Sequence, residues 1–250
     1  MLFQRPTTSF LANAKLKIGM FKTLYSLIIW PIWYAFFIPS LLVLFLLILL
    51  IPRKYFHYCI RPICWVYCFL AGQWLRKINN PPDSDSGPYL YMFNHVSMFD
   101  QFMIGAYVGH YITAVAAIET FKYPNFGFIL KKYGIIPIVR QKIKKAIVSL
   151  KVAEEAIKQG TSFLISPEGT RTLTGEIGPF KKGPFHLAKN TNATIVPIAL
   201  KGGFRAKRKN DWRLQLGILT VIFGDPIRST EYRELDIKEL RDLVLKKIIR

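Results

Sequence analysis

Residues 24–51 run for 28 positions without a single charge. As a straight helix they would reach about 42 Å, against a bilayer hydrocarbon core of roughly 30 Å. A secretory signal has a shorter apolar stretch and a small-residue cleavage site. Here the run ends in Ile51-Pro52-Arg53-Lys54, so a retained membrane segment is expected. Pro31 and Pro39 each remove a backbone donor and should bend or break a helix there. Arg5, Lys15, Lys17 and Lys22 precede the run and Arg53, Lys54 and Arg61 follow it, so positive charge gives no orientation. A single span and a bent or re-entrant insertion, with both ends on the cytoplasmic face, fit this symmetry equally. A second apolar stretch, 58–75, carries Arg61 and is closed by Arg76; it reads as an interfacial helix along the headgroups.

The cluster of turn formers at 79–88, NNPPDSDSGP, marks the end of the membrane segment. Beyond it short β-rich runs alternate with helical ones, with strands expected at 89–93, 112–117, 135–139, 162–165, 194–200 and 214–223. Over 143–158, helical spacing puts Ile143, Ala146, Ile147, Leu150 and Ile157 on one face and Lys144, Lys145, Lys151, Glu154 and Glu155 opposite. Asp236-x-x-Glu239 reads as a capping box, with Ile237, Leu240, Val244 and Ile248 as the apolar stripe behind it. Alternating strands and helices predict an α/β fold: a mainly parallel sheet flanked by helices, with an N-terminal membrane-inserted helical segment. The organisation expected is a membrane-anchoring segment over 1–78 and a soluble domain over 79–250.

Composition sharpens this picture through charge. Thirty-five Lys and Arg against 15 Asp and Glu leave a formal +20, which calls for a polyanionic partner: nucleic acid, an anionic bilayer surface or a phosphate-bearing substrate. Phe204-Arg205-Ala206-Lys207-Arg208-Lys209 has the look of a nucleic-acid strip, but no binding module accompanies it and 28 uncharged residues belong in lipid. No nucleic-acid partner is expected. The basic runs 140–151 and 201–213 suit an anionic membrane surface, each charge contributing about 1 kcal/mol near the headgroups. Cys59, Cys64 and Cys68 lie in one apolar run without metal-ligand spacing and read as reduced thiols.

The chemistry-bearing residues follow strands. Tyr89–Phe93 runs into Asn94-His95-Val96-Ser97-Met98-Phe99-Asp100. Five steps separate His95 from Asp100, which meet neither in a continuous helix nor in a strand. A strand end, a turn and a helix starting near Ser97 would let Asp100 reach back. A carboxylate on one imidazole nitrogen fixes the tautomer and leaves the other as a proton acceptor. Ser97-x-x-Asp100 is equally a helix-capping pattern, and the two roles are compatible. Ser166-Pro167-Glu168-Gly169-Thr170-Arg171 leaves the next strand in a tight loop that would aim Arg171 and backbone donors at a phosphate. Lys181-Lys182-Gly183-Pro184 opens another helix, with Pro184 at its first position, and offers a second anion site. Residues 135–140, Ile-Ile-Pro-Ile-Val-Arg, end a strand in Arg140.

In this order, NHVSMFD, GIIPIVR, SPEGTR and IVPIAL over residues 89–200 resemble the glycerolipid acyltransferase family, and within it the bacterial-type 1-acyl-sn-glycerol-3-phosphate acyltransferases. The resemblance implies that His95 deprotonates an acceptor hydroxyl, which attacks an acyl thioester directly, and that Asp100 orients His95. It implies a lysophospholipid site at Arg140, Glu168, Gly169, Thr170 and Arg171, with Glu168 organising the loop because a carboxylate repels phosphate. Lys182 joins the set on charge grounds. No metal and no cofactor are implied; acyl-CoA or acyl carrier protein is a co-substrate, and 79–250 becomes the acyltransferase domain. Ser166 stands where the family has an aromatic, and Pro137 and Val139 alter the pattern before Arg140, so other acceptors stay open: glycerol 3-phosphate, another lysophospholipid or a lyso-aminolipid. A non-catalytic membrane adaptor is the alternative of another class. The expected location is the cytoplasmic face of an inner or endoplasmic-type membrane.

Overall fold

The computed structural model describes residues 8–83 and 86–249, with side chains from residue 16 onward. Arg5, the Lys15 side chain, and Ser84 and Asp85 of the turn cluster therefore lie outside the described residues.

All of the uncharged run except Ile51 lies within one helix, α1 (Thr8–Leu50), which continues through both Pro31 and Pro39 instead of breaking. Lateral packing holds it: Trp33 donates to the Tyr67 carbonyl at 3.0 Å, and the Ser40 and Tyr67 hydroxyls share a 2.6 Å hydrogen bond. The second helix, α2 (Arg53–Leu70), begins and ends five residues before the stretch read as interfacial. Its buried face, with Phe56, Cys64 and Cys68, packs on protein, while Tyr55, Tyr58, Trp65 and Phe69 stand exposed on it. The apolar residues after it become a strand, β1 (Gln73–Ile78), which pairs with β7 (Gly217–Phe223) and places an edge of the sheet ahead of the turn cluster.

The remaining strands are β2 (Tyr89–Phe93), β3 (Ile112–Ala117), β4 (Ile136–Ile138), β5 (Ser162–Ile165) and β6 (Thr194–Lys201), in the order β1-β7-β6-β2-β5-β3-β4. All pairs are parallel except β6–β7. Every residue of β2 and β5 is buried, because helices cover both faces and leave no polar side to alternate with. Pro197 sits inside β6 where its missing donor is tolerated, between the Ile195–Ile227 bridge and the β7 ladder that starts at Ile198.

Tyr89, Tyr91 and Phe93 point into one core with α1, α2 and α3 (Asp100–Tyr107). Leu90 and Met92 point into a second core on the other face, built with α5 (Ile143–Lys158), α6 (Gly183–Thr191) and α9 (Ile237–Ile249). Short helices α4 (Phe126–Tyr133), α7 (Gly203–Ala206) and α8 (Ser229–Tyr232) complete the chain. The capping box before α9 forms as read: Glu239 N donates to Asp236 Oδ1 and Asp236 N to Glu239 Oε2, both at 2.8 Å. The cores meet at the C-terminal ends of β2, β5, β3 and β4, where a parallel sheet opens its crevice.

Candidate active site

β2 ends at Phe93, and the next side chain extends the ladder. Asn94 Oδ1 accepts from Leu200 N at 2.7 Å and its amide donates to the Leu200 carbonyl at 3.0 Å. That anchor lets the chain turn at His95. α3 starts at Asp100, three residues later than read, and its buried carboxylate turns back over the loop. His95 Nδ1 lies 2.7 Å from Asp100 Oδ2, and Val96 N and Ser97 N donate to the same carboxylate at 2.8 and 3.0 Å. A carboxylate only accepts, so Nδ1 carries the proton and Nε2 is left as the base. The capping pattern is half realised: Ser97 N donates to Asp100, while Ser97 Oγ donates to the Lys207 carbonyl at 3.1 Å. Burial raises the Asp100 pKa and its hydrogen bonds oppose that shift, the one from His95 most.

Glu168 does not face an anion. One of its oxygens accepts from His95 N and the other from Gly178 N, each at 2.7 Å. Thr172 N donates to the His95 carbonyl at 2.9 Å. The loop after β5 thus clasps the His95 backbone from both sides. Burial raises the Glu168 pKa above the ordinary carboxylate value, and the two N–H groups pull it back. Gly169 takes a left-handed φ of +68°, and a Cβ there would meet the Lys181 ammonium at 3.0 Å.

A cavity of about 720 Å³ opens from His95 and Asp100 over β5, β3 and β4 toward α5 and α6. Its long wall is apolar, with Ile138, Ile143, Ile147 and Leu150; Arg140, Gly169, Lys181 and Lys182 also line it. Thr170 and Arg171 do not line it. They belong with segment 202–214, which folds back over the β6–β7 end: Lys209 Nζ donates to Thr170 Oγ1 at 3.0 Å, and the Arg171 charge acts on both Lys207 and Arg140. Burial lowers the Lys207 pKa and Arg171 adds to that, with Asp211 opposing.

The structure therefore brings His95, Asp100 and Glu168 into contact, sets Arg140, Gly169 and Lys182 around the cavity, and leaves Thr170 and Arg171 off its lining, with Arg171 close enough for its charge to act on Arg140. Sequence reasoning missed Lys207, buried at 9% exposure, because a basic run gives no sign of which lysine turns inward. It also missed Gly178 and the nearness of Lys181 to Gly169, both set by tertiary folding of the loop.

The sequence model described as Acyltransferase matches residues 75–201, more than half of the chain. The chain belongs to the acyltransferase family. A 1-acyl-sn-glycerol-3-phosphate acyltransferase of Cocos nucifera is 35% identical over 186 residues, covering 72% of this chain and 60% of that protein. A probable 1-acyl-sn-glycerol-3-phosphate acyltransferase of Mycoplasma pneumoniae is 28% identical over 183 residues, 68% of each chain. The chain spans about half to three fifths of the length of the plant relatives it matches. The crystal structure of the 1-acyl-sn-glycerophosphate (LPA) acyltransferase PlsC from Thermotoga maritima shares the fold, with a TM-score of 0.75 at 22% identity over 93% of this chain and 94% of that one. The matched region takes in the His95 loop, the cavity and the Glu168 clasp.

Proposed function

We propose that the chain transfers a fatty acyl group from a thioester, acyl-CoA or acyl carrier protein, to the free hydroxyl of 1-acyl-sn-glycerol 3-phosphate, giving phosphatidate for phospholipid synthesis. His95 carries this reading: its Nδ1 is held by the buried Asp100 at 2.7 Å while its ring remains 18% exposed at the cavity. The acceptor hydroxyl gives its proton to Nε2 as its oxygen bonds to the thioester carbonyl carbon. The tetrahedral adduct collapses, the carbon–sulfur bond breaks, and the thiolate takes the proton back from His95. Asp100 stabilises the imidazolium between these steps. The fatty chain of the donor runs along the apolar wall of α5, and Arg171 and Lys207 hold the acceptor phosphate. The mechanism invokes no metal and no cofactor.

The acceptor keeps its own chain in the bilayer, since drawing it into water costs roughly 0.8 kcal/mol per methylene. α1 supports a membrane location: it is the described helix long and apolar enough to cross a bilayer, and Leu27, Ile28, Ile38, Leu42 and Leu46 stand open on it. Its other side is docked from Ser26, which accepts from Leu214 N at 2.7 Å, to the buried Ile48. That stretch of about 33 Å matches the full hydrocarbon thickness. A span would drag α4, with Lys131 and Lys132, into lipid; insertion along one leaflet, at the cytoplasmic face, would not. Lys207 and Lys209 turn toward the Thr170–Arg171 loop, which argues against an open nucleic-acid face.

The test uses purified full-length protein, one labelled acyl-CoA and a panel of acceptors: lysophosphatidate, glycerol 3-phosphate, other lysophospholipids and a lyso-aminolipid. We expect labelled phosphatidate, and its loss in His95→Ala with membrane association intact. Thiol release that persists with acceptor in His95→Ala would remove His95 as the base.

A further inference from the structure

Helices cover the sheet unequally. On the side of the second core α9 packs on β6, and beyond it, at the β1–β7 edge, Trp74 and Ile218 stand 63% and 58% exposed. Leu75, Leu219 and Val221 turn into the core shared with α1 and α2, so Trp74 and Arg76 of β1 and Ile218 and Thr220 of β7 turn to the other face. Trp74 stands opposite Ile218, and the next row on that face is Arg76, Thr220 and Lys201. Successive rows lie two residues apart, roughly 7 Å. β7 runs antiparallel to β6 and β1 runs with β7, so β1 and β7 start where β6 and β2 end, beside His95. The apolar row therefore lies nearest the active-site end of the sheet, with the cationic row behind it.

The apolar surface continues past the strand starts onto α1. The exposed Phe69 packs edge-on to Trp74, with ring centroids 5.4 Å apart. Leu216 is exposed, and a Cβ at Gly72 would collide both with its side chain and with the Tyr25 hydroxyl of α1. Tyr25 in turn stacks on the exposed Phe21. Trp212, also exposed, accepts at its carbonyl from the Trp30 indole of α1. Scattered apolar side chains on a surface are ordinary, whereas a contiguous set rimmed by polar groups marks a contact. Two tryptophans at its centre suit the headgroup boundary of a bilayer. Neither Arg76 nor Lys201 enters an ion pair among the described residues, so both offer charge to an anionic partner.

We propose that the start of β1 and β7, with Trp74, Leu216 and Ile218, is a second membrane-inserting surface, entering the same leaflet as α1 while Arg76 and Lys201 meet the lipid phosphates. The inference rests on the membrane location read for α1. Because this surface lies at the end of the sheet that carries His95, it sets the tilt of the domain and holds the active site at headgroup level. A second copy of the chain fits worse. A symmetric contact would bring Arg76 and Lys201 of two chains together. Arg76 and Lys77 also charge the free edge of β1 against strand addition.

The experiment attaches one environment-sensitive fluorophore per protein, at Ile218→Cys, Leu46→Cys or Lys238→Cys, in a Cys59→Ser background that leaves Cys64 and Cys68 buried. Leu46 is exposed on α1, and Lys238 is exposed at the start of α9, whose other end lies with Leu200. The full-length protein is bound to vesicles of phosphatidylcholine and phosphatidylglycerol that carry a spin-labelled acyl chain. Labels at 218 and 46 should be quenched and the label at 238 should not. An unquenched label at 218 beside a quenched one at 46 overturns this surface and leaves the location of α1 standing; both unquenched removes that location as well. Pyrene at 218 giving excimer emission in detergent would name a second copy as the occupant and overturn the proposal. In the same vesicles Trp74→Ser/Ile218→Ser should slow transfer to lysophosphatidate about tenfold, the order expected for losing two partly inserted apolar side chains, with the rate in detergent micelles little changed. An unchanged rate in vesicles, or an equal fall in micelles, would remove the positioning role.

Discussion

At the residue scale, the site depends on two buried carboxylates that do different work. Asp100 acts on the imidazole, so Asp100→Asn keeps the volume but offers a donor to Nδ1 and favours the wrong tautomer. We expect kcat to fall by about 10²–10⁴, the range for losing an oriented general base, with acceptor KM little changed. Glu168 acts on the backbone of His95, with two hydrogen bonds of 2.7 Å. Glu168→Gln must turn its amide toward one of two N–H donors, leaving a buried donor unpaired at a cost of about 1–3 kcal/mol. Its effect should appear in kcat and in melting temperature together, unlike that of Asp100→Asn. Burial raises the Glu168 pKa, so the folded state binds this proton more tightly than the unfolded chain does. Its contribution to stability is therefore present below the unfolded carboxylate value and is lost as pH rises through the raised one. Activity runs the other way, because the clasp needs the ionised form. Acidification should abolish transfer before it melts the fold, which parallel pH profiles of rate and melting temperature would check; coincident loss of both would contradict it.

At the element scale, α1 and the cationic segment 202–214 are joined by specific bonds. Ser26 Oγ accepts from Leu214 N at 2.7 Å and donates to the Lys22 carbonyl at 2.6 Å, and Trp30 Nε1 donates to the Trp212 carbonyl at 2.9 Å. Ser26→Ala strands the buried Leu214 N–H, for a loss of roughly 1–3 kcal/mol. Since the same segment carries Lys207, we expect acceptor KM to rise while donor KM holds; equal rises would show a general loosening instead. This coupling was invisible in the sequence, as was β1. Gln73–Ile78 continues an apolar stretch that helical reading absorbed, and only the ladder with β7 made it a strand. What local pattern determines was legible: β2, β3 and β5 fall where short β-rich runs and flanking turns put them, α5 matches its helical periodicity, and the capping box before α9 forms. His95 and Asp100 could be paired on paper because a turn between them was written in the strand-to-helix switch. Lys207, Gly178 and Lys181 could not, since their places depend on how two long loops fold back on a strand end. That the helix runs unbroken through Pro31 and Pro39 could not be read for a related reason. Proline propensity describes an isolated helix, and here Trp33 and Ser40 bind it to Tyr67.

At the scale of the whole molecule, the question is how a +20 chain with one long apolar helix meets a bilayer. Two geometries place Lys17 and Lys54, both exposed and flanking the apolar run, differently. A span puts them on opposite sides of the membrane; insertion along one leaflet puts them on the same side. The docking of α1 from Ser26 to Ile48 favours the second, because the described apolar stretch long enough to cross the hydrocarbon is held against the domain along that length. In that geometry the exposed Lys181, Lys182, Arg205 and Arg208 would meet headgroups, each adding about 1 kcal/mol on anionic lipid. Single cysteines at Lys17 and Lys54, in a Cys59→Ser background that leaves Cys64 and Cys68 buried, allow a direct measurement in sealed vesicles. With a membrane-impermeant thiol reagent both positions should react alike, and before any detergent is added in vesicles whose active sites face outward. One labelled and one protected position would establish a span. The active site would then have to sit where α4 and its lysines are immersed in lipid, a cost no surface attraction of that size offsets.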